Sequence, residues 1–406
     1  MIGRPAEPAG PPMVEGATVG GHTPIWSRRE HRERRVTTIA ITGVSGLVGR
    51  RLVQALEQRP EVTRIVGLDR TPPDGLTGPR FTYRPADVRD PDLDAALSGV
   101  DVLVHLAFQL DPIHDEALMR AVNVDGTINV MEAAERAGVG HVVYPSSVVA
   151  YGAYADNDLP LTEDSPVRGT PELNYSEHKR DVEHWLADWV AGDHATEVCV
   201  LRLALVMGPG VQNFVTRILE GPRFTAVRDY TPPLQFVHLD DVVAAFEHAI
   251  EQRLTGVYNV AAEGWLSFDE ILELVGRRVV SIPEELAFTT AERLWKLGIG
   301  EYPAGVVAHL MHPCVMSPAK LVATGWQPKV TNREALQETV REHQDYVAVA
   351  GVRTRRSTMR RATAVTGLAA SAVVVLAWRR WRGRSAAAHA HAVHADVRES
   401  SGSASD

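Results

Sequence analysis

Tyr175 and Lys179 stand four residues apart in "LNYSEHKRDVEHW", and on a helix that spacing places a phenol and an ammonium on one face. Such a pair moves protons when a cofactor and a substrate come to the same place. The rest of the chain has to bring them there, so the elements around the pair decide whether it is chemistry or solvated surface.

A cofactor site is suggested near the start. The β-branched run "TTIAIT" leads directly into "TGVSGLVGRRLVQAL", a strand, a glycine turn and a helix. Gly43, Gly46 and Gly49 allow a tight turn, a close approach of backbone to a pyrophosphate, and close packing of helix on strand. Ser45 and Leu47 lie between them and belong to the same expected site. The helix amino terminus would meet the phosphates with free N–H groups and a partial positive charge. Asp69 ends the next strand in "IVGLDR", where a carboxylate can accept hydrogen bonds from the adenosine ribose and would repel a 2′-phosphate. NAD is therefore favoured over NADP, with Arg70 the residue that argues the other way.

Six short runs alternate with helical stretches between residues 36 and 205: "TTIAIT", "RIVGLD", "RFTYRPAD", "DVLVHLA", "HVVYPSS" and "EVCVLRLAL". That alternation predicts an α/β fold, a Rossmann-type doubly wound parallel sheet covered on both faces. Residues 206–350 read as mixed, with helices at "HLDDVVAAFEHAIEQ", "SFDEILELVGRRV" and "NREALQETVREHQDYV" and a strand at "GVYNVA". They are expected to form mainly a smaller substrate lobe.

The glycine spacing resembles that of the extended short-chain dehydrogenase/reductase superfamily, in its NAD-dependent epimerase/dehydratase family. The resemblance continues through "ADVRD", "HLA" and "NVDGTINV" and covers about residues 37–345. It implies adenine contacts at Asp87 and Val88, a cofactor-lining turn at His105, Leu106 and Ala107, and an Asn123 that helps to hold the catalytic lysine. Tyr175 and Lys179 become its Y-x-x-x-K pair, and "PSSVVAYG" supplies Ser147, with Ser146 the neighbouring alternative. In that scheme Lys179 lowers the pKa of Tyr175 and reaches the nicotinamide ribose. Tyr175 takes the proton of a substrate hydroxyl as hydride leaves the same carbon, and Ser147 holds the substrate oxygen. His178 stands where the family has serine and is given no catalytic role.

The substrate side departs from the family. Leu205 occupies the place of an asparagine typical of nucleotide-sugar members, and Leu234 and Gln235 precede "FVHLDD" where Arg and Asp are usual. Before the final "GW" there are only His312 and Lys320. Arg217, Arg223 and Arg228 are the cations left to bind a diphosphate. The expected small-molecule substrate is thus a secondary alcohol or ketone, hydrophobic or lipid-linked, with exchangeable NAD. The alternative is a UDP-glucose-like nucleotide-sugar 4-epimerase that retains NAD. A dehydratase is disfavoured because its Thr-Asp-Glu group is absent around "SSVVAYG". An NAD-sensing scaffold without turnover would require a broken catalytic set, and this one is intact.

Charge and termini bound the remaining classes. The net charge is −9, but residues 353–384 hold nine Arg and no acidic residue, which leaves −18 on the remainder. So acidic a body excludes nucleic acid as its partner. Residues 1–35 are a Pro- and Gly-rich, then basic, extension expected to be disordered, and residues 385–406 are a second such tail. Within 351–384, the uncharged 17 residues 362–378 could reach about 25 Å as a helix, a candidate membrane anchor between Arg collars. The need for soluble NAD places the catalytic body on the cytoplasmic side, and the resemblance implies a homodimer. Cys199 and Cys314 are the only cysteines, and nothing in their spacing suggests a disulfide or metal site.

Overall fold

The computed structural model describes residues 37–213, 216–217, 223–298, 300, 302–343, 346–349 and 352–355. The chain divides into two units, Met1–Arg35 and Val36–Asp406, and every described residue belongs to the second. The candidate anchor at 362–378 and both terminal extensions lie outside the described residues. Among the described residues, no helix is long and apolar enough to cross a membrane.

Strands β1 (Thr37–Thr42), β2 (Val62–Asp69), β3 (Phe81–Pro85), β4 (Val102–His105), β5 (His141–Ser147) and β6 (Glu197–Leu203) correspond to the six predicted runs. With β10 (Gly256–Val260) they make one parallel sheet in the order β10-β6-β5-β4-β1-β2-β3. The chain winds outward from β1 to β3, then returns across the sheet to β4. Thr42 lies in register with Leu68 on one side and His105 on the other, so the reversal opens a crevice beyond the carboxyl ends of β1 and β4.

Side-chain alternation along the strands separates two cores. Ile39 and Ile41 face one, with Leu52, Val53 and Phe246, whereas Ala40 faces the other, with Val130, Val182 and Leu186. The first is covered by α1 (Leu47–Leu56) and the helix Leu239–Gln252. After the short helices α2 (Leu93–Leu97) and α3 (Glu116–Arg120), α4 (Gly126–Arg136) and α5 (Asn174–Ala191) cover the second. Buried Gly49, Leu52, Val53 and Leu56 recur at helical spacing on α1, which is why that segment lies flat on the sheet.

Residues beyond 205 contribute to two places. The predicted strand "EVCVLRLAL" divides at Ala204, whose N–H still bonds Val260 at 2.9 Å before the chain leaves the sheet. There β7 (Leu205–Met207) pairs with β9 (Phe236–His238), and β8 (Phe224–Val227) pairs with β11 (Val279–Ile282). These small sheets pack on cores of their own, around Met207, Phe236, Ile271 and Leu336 and around Val227, Ala287 and Val307. "GVYNVA" instead supplies β10 at the edge of the large sheet. The predicted helix "SFDEILELVGRRV" runs over Phe268–Val275, opened by a reciprocal Ser267–Glu270 capping box and closed at Gly276 with φ +61°. "NREALQETVREHQDYV" is helical only over Asn332–His343, because Tyr346–Val349 pairs antiparallel with Val352–Arg355.

Candidate active site

The crevice continues into a cavity of about 810 Å³ that runs from the first glycine turn to the smaller lobe. At its cofactor end the walls are largely backbone. Gly43 has φ +69°, and a Cβ there would lie 2.6 Å from the Ala107 nitrogen; at Gly49 it would lie 2.8 Å from the Gly43 oxygen. Gly46 caps α1 without any side-chain hydrogen bond, so the amides of the first turn remain available to an anion. Asp69 Oδ2 accepts from the Ser45 N–H at 3.1 Å and Oδ1 from the Thr71 N–H at 3.2 Å, which fixes the carboxylate at the crevice wall. Leu47, Asp87, Val88, Leu106 and Ala107 line the same region. Asp87 is held by Arg89 at 2.7 Å, and that hydrogen-bonded pairing keeps its carboxyl below the usual range. An uncapped helix terminus, a glycine cradle and a fixed carboxylate together fit a dinucleotide.

Halfway along the cavity, α5 places Tyr175, Lys179 and Glu183 on successive turns of one face. Ser147 caps the short helix Val148–Tyr151, and it lines the cavity together with Tyr175 and Lys179. Ser146 points the other way and donates to Glu183, which forms a buried ion pair with Arg202 of β6 at 2.6 Å. Both serines belong to the cavity lining, but the Ser146 hydroxyl is engaged by Glu183. Lys179 is only 2% exposed, and its Nζ donates to the Tyr144 hydroxyl at 3.0 Å and the Pro145 carbonyl at 2.7 Å.

Electrostatics here depart from the sequence expectation. Burial pushes the Tyr175 phenol up to about 12, with Ser147 opposing, whereas Lys179 was expected to pull it down. Burial also holds Lys179 well below its ordinary value, with Glu183 opposing. His105, sandwiched between Thr42 at 2.7 Å and Thr127 at 3.0 Å, is lowered by burial to about 3 and stays neutral.

Asn123 is fully buried in a π turn, Ala121–Asp125, between α3 and α4. Its amide bonds both the N–H and the carbonyl of Gln109, at 2.6 and 3.0 Å, and approaches His178 Nδ1 at 3.3 Å. Asn123 and Lys179 share no direct hydrogen bond; Asn123 holds the loop after β4. His178 is buried beside it and faces away from the cavity wall.

The substrate end is built mainly from apolar side chains: Phe108, Leu173, Leu205, Val206, Tyr302 and Val306, with His309 among them. Leu205 and Val206 come from the strand that leaves the sheet at Ala204. None of Arg217, Arg223, Arg228, His312 and Lys320 lines the cavity. Arg217 comes nearest, pairing with Asp111 and bonding the Tyr302 hydroxyl at 2.7 Å, both cavity residues. Arg223 and Arg228 are exposed, and Lys320 lies over the Tyr258 ring. Gln235 is buried and tethers the carbonyls of Ala262, Gly264 and Met316. Among the described residues no group of three or more His, Cys, Asp or Glu could hold a metal ion. Sequence reasoning missed Phe108, Tyr144, Tyr302 and His309; Phe108 directly follows "HLA", but no local spacing marks the others.

The match to the model of the NAD-dependent epimerase/dehydratase family spans residues 39–261, from β1 through β10. The chain belongs to that family. A Mycobacterium tuberculosis protein of uncharacterised function is 26% identical over 75% of this chain and 83% of its own length. A dTDP-glucose 4,6-dehydratase of Streptomyces griseus is 27% identical over 59% of this chain and 77% of its own length. Among solved structures, a Thermus thermophilus UDP-glucose 4-epimerase in complex with NAD has a TM-score of 0.59 at 23% identity, covering 76% of this chain and 99% of that one. The family and fold support NAD binding at the glycine end of the cavity.

Proposed function

We propose that the protein is an NAD-dependent oxidoreductase that interconverts a secondary alcohol and a ketone at Ser147, Tyr175 and Lys179. The observation that carries this reading is that Ser147, Tyr175 and Lys179 line one cavity with a glycine cradle and a set of apolar side chains. Bound NAD supplies the hydride acceptor or donor. Tyr175, kept protonated by burial, gives its proton to a ketone oxygen and takes it back in the oxidative direction. Ser147 donates to the same oxygen and fixes its position. Lys179 lies one turn away on the same helix face, where its Nζ can serve the cofactor ribose. The fixed Asp69 carboxylate favours NAD over NADP.

The substrate in this reading is apolar around its reacting carbon, because Leu173, Leu205, Val206 and Val306 surround the place where it would lie. Dimerisation through α5, anchoring through residues 362–378 and a cytoplasmic position belong to the same proposal and rest on sequence.

A nucleotide-sugar 4-epimerase is the second reading, favoured by the likeness to the Thermus epimerase and by Arg217 at the cavity rim. The two diverge in how they hold cofactor. Protein dialysed extensively and then denatured releases little NAD(H) if it is an exchanging dehydrogenase, and it forms NADH from apolar secondary alcohols when NAD is added. Near-stoichiometric released NAD, with turnover of UDP-glucose, would overturn the first reading in favour of the second. Failure to bind any NAD would overturn both.

A further inference from the structure

Lys179 is almost wholly buried, although it belongs to the cavity lining. Besides the bonds to Tyr144 and Pro145, its Nζ lies 3.5 Å from the centroid of the Phe108 ring. The Tyr144 ring is 4.5 Å away and that of Tyr175 is 5.9 Å away, so the amine sits in an aromatic enclosure. Phe108 also meets Tyr175 edge-on at 5.8 Å. A single half-buried side chain therefore stands over both members of the pair and lines the cavity.

Its support is asymmetric. Asn123 grips both the N–H and the carbonyl of Gln109, which fixes the backbone directly after Phe108. The ring itself is held by packing alone, against Tyr175, Lys179 and the core beneath α4 and α5. A hydroxyl that is to bond Nζ on the side the ring covers has to displace the ring.

We propose that Phe108 is a swinging aromatic stop over Lys179, anchored by the Asn123–Gln109 clamp, which turns aside when a dinucleotide brings its second ribose to the lysine. Phe108 is thus a positioning residue, acting through Lys179. The stop rests on the proposed NAD site, and it also gives Asn123 a role, through the loop, in setting the lysine's surroundings.

The chain has four lysines, Lys179, Lys296, Lys320 and Lys329, and the last three are exposed, so they serve as internal references. Acylation of the full-length protein by acetic anhydride, followed site by site by mass spectrometry without cofactor, reads how far Lys179 is shielded. Phe108→Ala and Phe108→Leu should each raise Lys179 labelling relative to the references, by about tenfold for Ala if the open form is a minor population. NAD should bind tighter to Phe108→Ala by a similar factor, and AMP, which carries only the adenosine half, should bind unchanged. Equal labelling of Lys179 in wild type and both variants would overturn the stop. So would equal shifts in NAD and AMP affinity. If neither nucleotide binds the wild type, the cofactor reading fails, whereas labelling still tests the shielding by itself. Phe108→Leu keeps most of the apolar volume and decides the matter if the alanine variant does not fold.

Discussion

The cofactor end of the cavity is made of backbone and glycine: Gly43 pressed against Ala107, an uncapped α1, and a carboxylate fixed by two amide N–H groups. At the substrate end the material is side chains brought from distant segments, Leu173, Leu205, Tyr302, Val306 and His309. Backbone cannot be exchanged without changing the fold, whereas a side-chain wall can be replaced residue by residue. That contrast accounts for a glycine turn whose spacing resembles the family's, beside a wall where Leu205 stands in place of the expected asparagine.

Substitutions that act on one end or on both can break the comparison. Lys179→Met lies at the junction and should have the largest effect, lowering turnover by about 10²–10⁴-fold. Stability should hold or rise at neutral pH, because a buried amine is replaced by an apolar chain. The lowered lysine pKa adds a sign. Over the interval between its folded value and the ordinary 10.5, the unfolded chain keeps the proton and the folded chain has lost it. Wild-type stability therefore gains a rising contribution with pH across that interval, which vanishes in Lys179→Met. Urea unfolding of both proteins between about pH 7 and pH 10 reads the difference.

Gly43→Ala tests the cofactor end alone. A non-glycine residue at φ +69° with a neighbour 2.6 Å from its Cβ is strained, and strain of about 1–3 kcal/mol corresponds to roughly 5- to 150-fold weaker NAD binding if the turn must shift. Calorimetric titration with NAD, with circular dichroism to verify folding, would measure it; unchanged affinity would mean that the pyrophosphate does not use this turn.

Arg217→Ala tests the substrate rim and should have the smallest effect. Its pair with Asp111 is partly exposed, so stability should change by less than about 1 kcal/mol and NAD affinity not at all. With an apolar alcohol KM should move only a few-fold. A large loss confined to UDP-glucose would shift the balance toward the nucleotide-sugar reading.

The same division explains what could be read in advance. The strand–glycine–helix turn, Asp69, and the shared face of Tyr175 and Lys179 are local patterns, so spacing alone located them. The division of "EVCVLRLAL" at Ala204 was hidden, because an apolar run does not say which strand it will pair with. The hold of Asn123 on the backbone of Gln109 depends on a π turn that the run "NVDGTINV" does not announce. The upward pKa of Tyr175 depends on burial by Phe108 and its surroundings, which no spacing within α5 can express. Arg223 and Arg228 looked like ligands only because sequence does not reveal that their side chains are exposed.

The most direct test of a hydride-transfer site centred on Tyr175 is a comparison of wild type with Tyr175→Phe, in which NAD affinity by titration and NADH formation at saturating NAD and alcohol are measured on the same preparations. In the proposed reaction the phenol meets the reacting oxygen and not the glycine cradle, so affinity should be retained while turnover falls by about 10²–10⁴-fold. Turnover that survives the loss of the hydroxyl, with cofactor binding intact, would contradict the assignment.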